Sequence, residues 1–168
     1  MEQAGSRLDG ARKAALDLEP LITESPTLRS GSYSNACEEY AEAVIFSIFL
    51  TENRLASPEE IDLANTEEYL GGLLDFTGEL NRVAIARATA RDVDSVQLAR
   101  DTVEALQGQF LRLDLRNGSI RKKYDGLKYT MKKLENTLYE LSLISNGLVS
   151  KPEDVPDVDV TDQAPTDA

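Results

Sequence analysis

The chain has 168 residues, with thirty acids against eighteen bases, a formal net charge of −12, one cysteine and no histidine. Without imidazole a Ser-His-Asp triad and His-ligated zinc are both excluded, and the lone Cys37 can form neither an intramolecular disulfide nor a cysteine-rich metal site. Any catalysis must therefore rest on carboxylates, alone or with a metal ion.

A hydrophobic content of 41 % suits one globular domain. No apolar run approaches the roughly 20 residues that a membrane span needs, and MEQAGSRLDG lacks the apolar stretch of a secretory signal, so the expectation is a soluble, cytoplasmic protein with no membrane partner. An acidic chain with only seven lysines matches proteins that work at high salt, as in haloarchaea; the alternative is an ordinary acidic cytosolic protein.

Residues 3–23 read as a first helix with Leu8, Ala11, Ala15, Leu18 and Ile22 on one side, kinked or ended by Pro20. Residues 24–33 form a Ser-, Pro- and Gly-rich loop. Asn35 and Glu38 have the spacing of a capping box that opens a second helix through about Phe49. After two turns this helix is apolar nearly all round, with Val44, Ile45, Phe46, Ile48, Phe49 and Leu50, and is expected in the middle of a bundle, with Cys37 a buried structural thiol. Glu39 and Glu42 are then anomalous, because carboxylates on a buried face need partners.

Ser57-Pro58 starts a short turn, and Asn65 or Thr66 caps a third helix through Ala90. Its apolar side is Leu70, Leu73, Leu74, Thr77, Leu80 and Ala84; Glu68, Gly71, Asp75, Glu79, Arg82 and Ala86 form a narrower polar and small stripe. Gly71, Gly72 and Gly78 each weaken a helix and so point to close approach of a backbone or a ligand. Asp92 or Asp94 caps a fourth helix that ends at Asn117-Gly118.

The fifth helix, Ser119 to Asn146, with Ser119 as its cap and Asn146-Gly147 as its stop, carries the longest periodic pattern: Ile120, Tyr124, Leu127, Met131, Leu134, Leu138 and Leu141 alternate by fours and threes along one seam. At 1.5 Å per residue it is about 40 Å long, a bundle spine or a subunit contact. From Arg116 to Lys133 there are seven bases against one acid, Asp125. That strip is either an ordinary solvated face or a phosphate-contacting one, with Arg116, Arg121, Lys122, Lys123, Lys128 and Lys132 as candidate nucleic-acid contacts. Residues 1–149 form the helical domain, and the acidic, Pro-containing tail 150–168 is expected to be disordered.

Two helices thus each present an acid pair, Glu39-x-x-Glu42 and Asp75-x-x-x-Glu79. Carboxylates on facing helices can hold Mg²⁺ or Mn²⁺, which activate water for phosphodiester hydrolysis without histidine. Such spacing also arises by chance, and Arg82 is placed to pair with Glu79 on the surface.

The run LRLDLRNGSIRKKYDGLKYTMKKLENTLYELSL resembles the C-terminal helix of the translin family, with RKKYDGLKY, KKLEN and YELS as its matching core. EYAEAVIF and LGGLLDFTGELNR resemble the EYVEAV-type and LGVADLTGELMR-type segments of the translin-associated factor X branch. The resemblance implies an all-α antiparallel bundle of about five helices and a metal-dependent endoribonuclease on single-stranded or short RNA. Glu39, Glu42 and Asp75 would be catalytic, and together with Glu79 would hold Mg²⁺ or Mn²⁺. The alternatives are a non-catalytic binder of RNA or single-stranded DNA and a purely structural oligomer. The implied assembly is a homo-oligomer, or one completed by a second family subunit. The resemblance also has departures. Family members usually begin with a further long helix, which this chain is expected to lack, and the segment GSYSNACE has no basic residue where translin has several.

Overall fold

The computed structural model describes residues 2–148; the predicted tail lies outside the described residues. Five α-helices are present: α1 Glu2–Glu24, α2 Ser32–Glu52, α3 Thr66–Thr89, α4 Val93–Phe110 and α5 Ser119–Ser145, with no strand among the described residues. Two short 3-10 turns, Pro26–Arg29 and Pro58–Glu60, lie in the first two connections.

Helix α3 is the hub, packing on α2, α4 and α5, while α4 also packs on α5. Ile45, Phe76, Leu80, Val96, Val103, Leu127 and Leu134 meet in one apolar core. Phe76 sits against Phe49 and Phe46 with ring centroids 5.3 and 6.2 Å apart. The α5 seam is as the spacing predicts: Leu127, Met131, Leu134 and Leu141 are buried, and Tyr124 stacks on Phe110 at 5.8 Å. Burying an aliphatic or aromatic side chain stabilises by about 1.5–3 kcal/mol, so this periodicity dominates the order of the bundle.

Several boundaries follow local chemistry. Asn65 caps α3 by accepting from the Glu68 amide at 3.0 Å, and the Glu68 carboxylate returns to the Asn65 amide at 2.8 Å. Asp92 accepts from the Ser95 amide at 3.1 Å to cap α4. Gly147, at φ +69°, ends α5 with the left-handed residue that favours glycine. Cys37 is buried as expected, and burial pushes its thiol up.

Four expectations are corrected. Helix α1 runs through Pro20 to Glu24, and its seam is not covered: Leu8, Ala15 and Ile22 are half-buried, Ala11 and Leu18 exposed. With solvent alongside, the carbonyl freed by the proline can be hydrated, so the helix continues. Helix α2 starts at Ser32 behind Gly31 (φ +79°), so Asn35 and Glu38 are already inside it and form no capping box. Nor is α2 buried all round, since Cys37, Ala41, Ile45 and Phe49 form one buried line and Leu50 is 49 % exposed. Finally, Ser119 is the first residue of α5 and provides no side-chain cap; Gly118 occupies that position.

Candidate functional site

The site begins where α2 crosses α3. A Cβ added at Gly72 would lie 2.8 Å from the Glu42 amide nitrogen and 3.0 Å from the Glu38 carbonyl oxygen, so only glycine lets these backbones meet. One at Gly71 would lie 2.0 Å from Glu38 Oε2, which means that the Glu38 carboxylate rests across that glycine. The predicted close approach is therefore real at Gly71 and Gly72. At Gly78 it is absent, since nothing lies within 4 Å of an added Cβ.

From α5, Lys123 reaches the same crossing. Its Nζ donates to Glu38 Oε1 at 2.6 Å and to Asp75 Oδ2, tying α2, α3 and α5 together. All three groups are largely shielded, with side-chain exposures of 31 % for Lys123, 24 % for Glu38 and 31 % for Asp75. Burial works against the ammonium charge, but the bonds to Asp75 and Glu38 outweigh it and hold Lys123 above its ordinary value. Glu42 is left without such a partner. Burial, then the charges of Asp75, Glu39 and Glu79, push its carboxyl up to about 7, with Lys123 offsetting only part.

The four predicted metal ligands share one side of this crossing, close enough for Asp75, Glu39 and Glu79 to act on the charge of Glu42, but they form no ready coordination set. Glu39 is exposed, Asp75 is bonded to Lys123, and Glu79 accepts from Arg82 Nε at 2.9 Å on the surface. Among the described residues no three acids or thiols gather closely enough to hold an ion. The arrangement seats an ammonium where the resemblance places a divalent cation, and as it stands it does not fit that cation.

The basic strip divides in two. Arg116, Arg121, Lys122, Lys128 and Lys132 are exposed, as is Lys133. Arg121 bonds Asp125 at 3.0 Å, whereas Lys122, Lys128, Lys132 and Lys133 have no ion pair among the described residues. Lys123 turns inward and leaves the strip. A signal for this existed: at 100° per residue Lys123 lies about 40° from Leu127, on the seam side.

Nor does the sequence single out the roles of Glu38 and Glu68. Glu38 reads as a capping residue in the sequence, and Glu68 as one more polar group in a stripe. Glu68 is in fact 2 % exposed and accepts from Arg29 Nη2 at 2.5 Å and Ser34 Oγ at 2.7 Å, besides its capping contact. It fastens the 3-10 turn and the start of α2 to α3, a structural task.

Fold and site together define an all-α bundle with a carboxylate–lysine clasp inside and a lysine-rich face outside. A family model described as Translin family matches residues 7–144, and the chain belongs to that family. Chicken (Gallus gallus) translin is 42 % identical over 77 residues, 46 % of this chain and 34 % of that protein. Human and mouse translin are each 39 % identical over 79 residues, 47 % of this chain and 35 % of theirs. The matched segment thus spans about a third of these relatives. A solved structure described as "Crystal structure of apo-NeC3PO" has the same fold, with a TM-score of 0.73 at 24 % identity over 83 % of this chain and 72 % of that one.

Proposed function

We propose that this protein binds RNA or single-stranded DNA through the outer face of α5. The observation that carries this reading is the set of exposed Lys122, Lys128, Lys132 and Lys133, without an ion pair among the described residues, on a chain whose net charge is −12. With Arg121 these bases extend over about 18 Å of helix, and phosphate contacts are what such a concentration of lysine favours. The test is the affinity of a labelled single-stranded 20-mer between low and moderate salt, for wild type and for the triple variant Lys122→Gln/Lys128→Gln/Lys132→Gln. Three lost phosphate contacts lower the slope of log affinity against log salt by about 2. An unchanged slope and affinity would show that the face does not meet phosphates.

A second reading is the Mg²⁺- or Mn²⁺-dependent endoribonuclease on single-stranded or short RNA. Glu42 favours it, because its half-buried carboxyl feels the charges of Asp75, Glu39 and Glu79 with only partial offset from Lys123, and the reading requires that ammonium to give way to the cation. Cleavage of labelled RNA with Mg²⁺, Mn²⁺ or EDTA, beside Glu39→Ala/Asp75→Ala, separates the readings: only an enzyme cuts in a metal-dependent way and stops in the variant. Self-association, or pairing with a second family subunit, is supported by Leu16, Leu18 and Leu21, which α1 leaves 37, 46 and 53 % exposed.

A further inference from the structure

Tyr129 stands in the middle of the basic face with no structural task. Its side chain is 62 % exposed, and its hydroxyl makes no hydrogen bond among the described residues. Other tyrosines differ: Tyr69 donates to the Ala56 carbonyl at 2.8 Å, and Tyr124 stacks on Phe110. On the helix, Tyr129 lies within about 20° of Lys122, two turns away, and one turn from Lys132 and Lys133. Lys128 Nζ sits 5.0 Å from its ring centroid.

We infer that Tyr129 is a stacking platform for an unpaired base, and that it gives the α5 face a preference for single strands over duplex; this rests on the nucleic-acid reading above. A strand held at its phosphates by Lys122, Lys132 and Lys133 passes over the ring, and an unstacked base gains contact with that π-face. A duplex keeps its bases inside and gains nothing from the ring. Lys128 occupies the cation–π position in the free protein and is released toward a phosphate when a base takes its place. Tyr139 is equally exposed, at 63 %, but lies beyond the basic run between Glu135 and Glu140, where no phosphate is held.

The test uses the full chain at one fixed salt and three labelled 20-mer probes: a single strand, an abasic strand with the same phosphodiester backbone, and a duplex. Tyr129→Ala is expected to weaken the single strand about tenfold, within the range of base–aromatic stacking, while leaving the abasic strand and the duplex within twofold. Tyr129→Phe keeps the wild-type preference and Tyr139→Ala changes nothing. The inference is overturned if Tyr129→Ala binds the single strand like wild type, or weakens all three probes equally. If Tyr129→Ala is silent while the lysine variants lose affinity, stacking falls and the basic-face reading stands. If wild type binds no probe, both fall.

Discussion

Replacing Lys123 by Met keeps the aliphatic stem and removes the cation that holds Glu38 and Asp75 together. The two carboxylates are then left facing each other, with Glu42 close by. An exposed ion pair contributes up to about 1 kcal/mol, and breaking a fully buried one costs about 3–5 kcal/mol. With roughly a quarter to a third of each side chain in solvent, the clasp falls between these limits, at about 2 kcal/mol. For a domain of this size that corresponds to a Tm lower by about 4–8 °C. The assay is urea unfolding followed by helical circular dichroism, in which the midpoint should fall with the slope m unchanged. Because the cost comes from stranded charge, the double variant Lys123→Met/Asp75→Asn should recover part of the loss, and the two substitutions should be strongly non-additive. A loss below about 0.5 kcal/mol, or strict additivity, would refute the clasp.

Three other outcomes follow from the same geometry. Glu42, near 4.5 in the unfolded chain and about 7 when folded, binds its proton more tightly in the native state, so stability should fall as pH rises through that window and level off above it. Solvent screening reduces the effect to about 1–2 kcal/mol, and Glu42→Gln should remove this falling contribution from the dependence of midpoint on pH. Gly72→Ala, which drives a Cβ into the α2 backbone, should cost about 2–3 kcal/mol, whereas Gly78→Ala, with open space and a better helix former, should stabilise by about 0.5–1 kcal/mol; thermal melts of both variants decide it. Mn²⁺ should bind Lys123→Met more tightly than wild type, read from the electron paramagnetic resonance signal of free Mn²⁺, since the ammonium no longer competes for Asp75 and Glu38.

What the sequence made legible was whatever one helix determines by itself. The α5 seam, the Asn65 and Asp92 caps and the Gly147 stop depend on spacing and on chemistry within a few residues, and each is found in place. The failures concern what lies across a gap. Apolar density in α2 said nothing about which neighbour would cover it, and Leu50 is left in solvent. Glu39 and Glu42 stand out in α2 as misplaced acids, yet the α2 acid that is held is Glu38, whose partner is 85 residues away. Charge along the chain groups Lys123 with its neighbours, whereas the angle around the helix sets it on the seam side.

Taking Lys123 out of the strip also separates two roles of α5. Its inner cation neutralises acids in the bundle, and between Arg121 and Lys133 its outer face retains Arg121, Lys122, Lys128, Lys132 and Lys133 against Asp125, five bases minus one acid, or +4. Stability and nucleic-acid affinity should therefore respond to different substitutions. Lys123→Met should lower the urea midpoint while leaving single-strand affinity within about twofold in native conditions, because its ammonium is turned inward onto Glu38 and Asp75. Lys132→Gln should do the reverse, lowering the salt slope by about 0.7 with no change in midpoint. If Lys123→Met instead weakened binding as much as Lys132→Gln does, the inner and outer cations would serve one site, and the clasp would belong to the nucleic-acid surface.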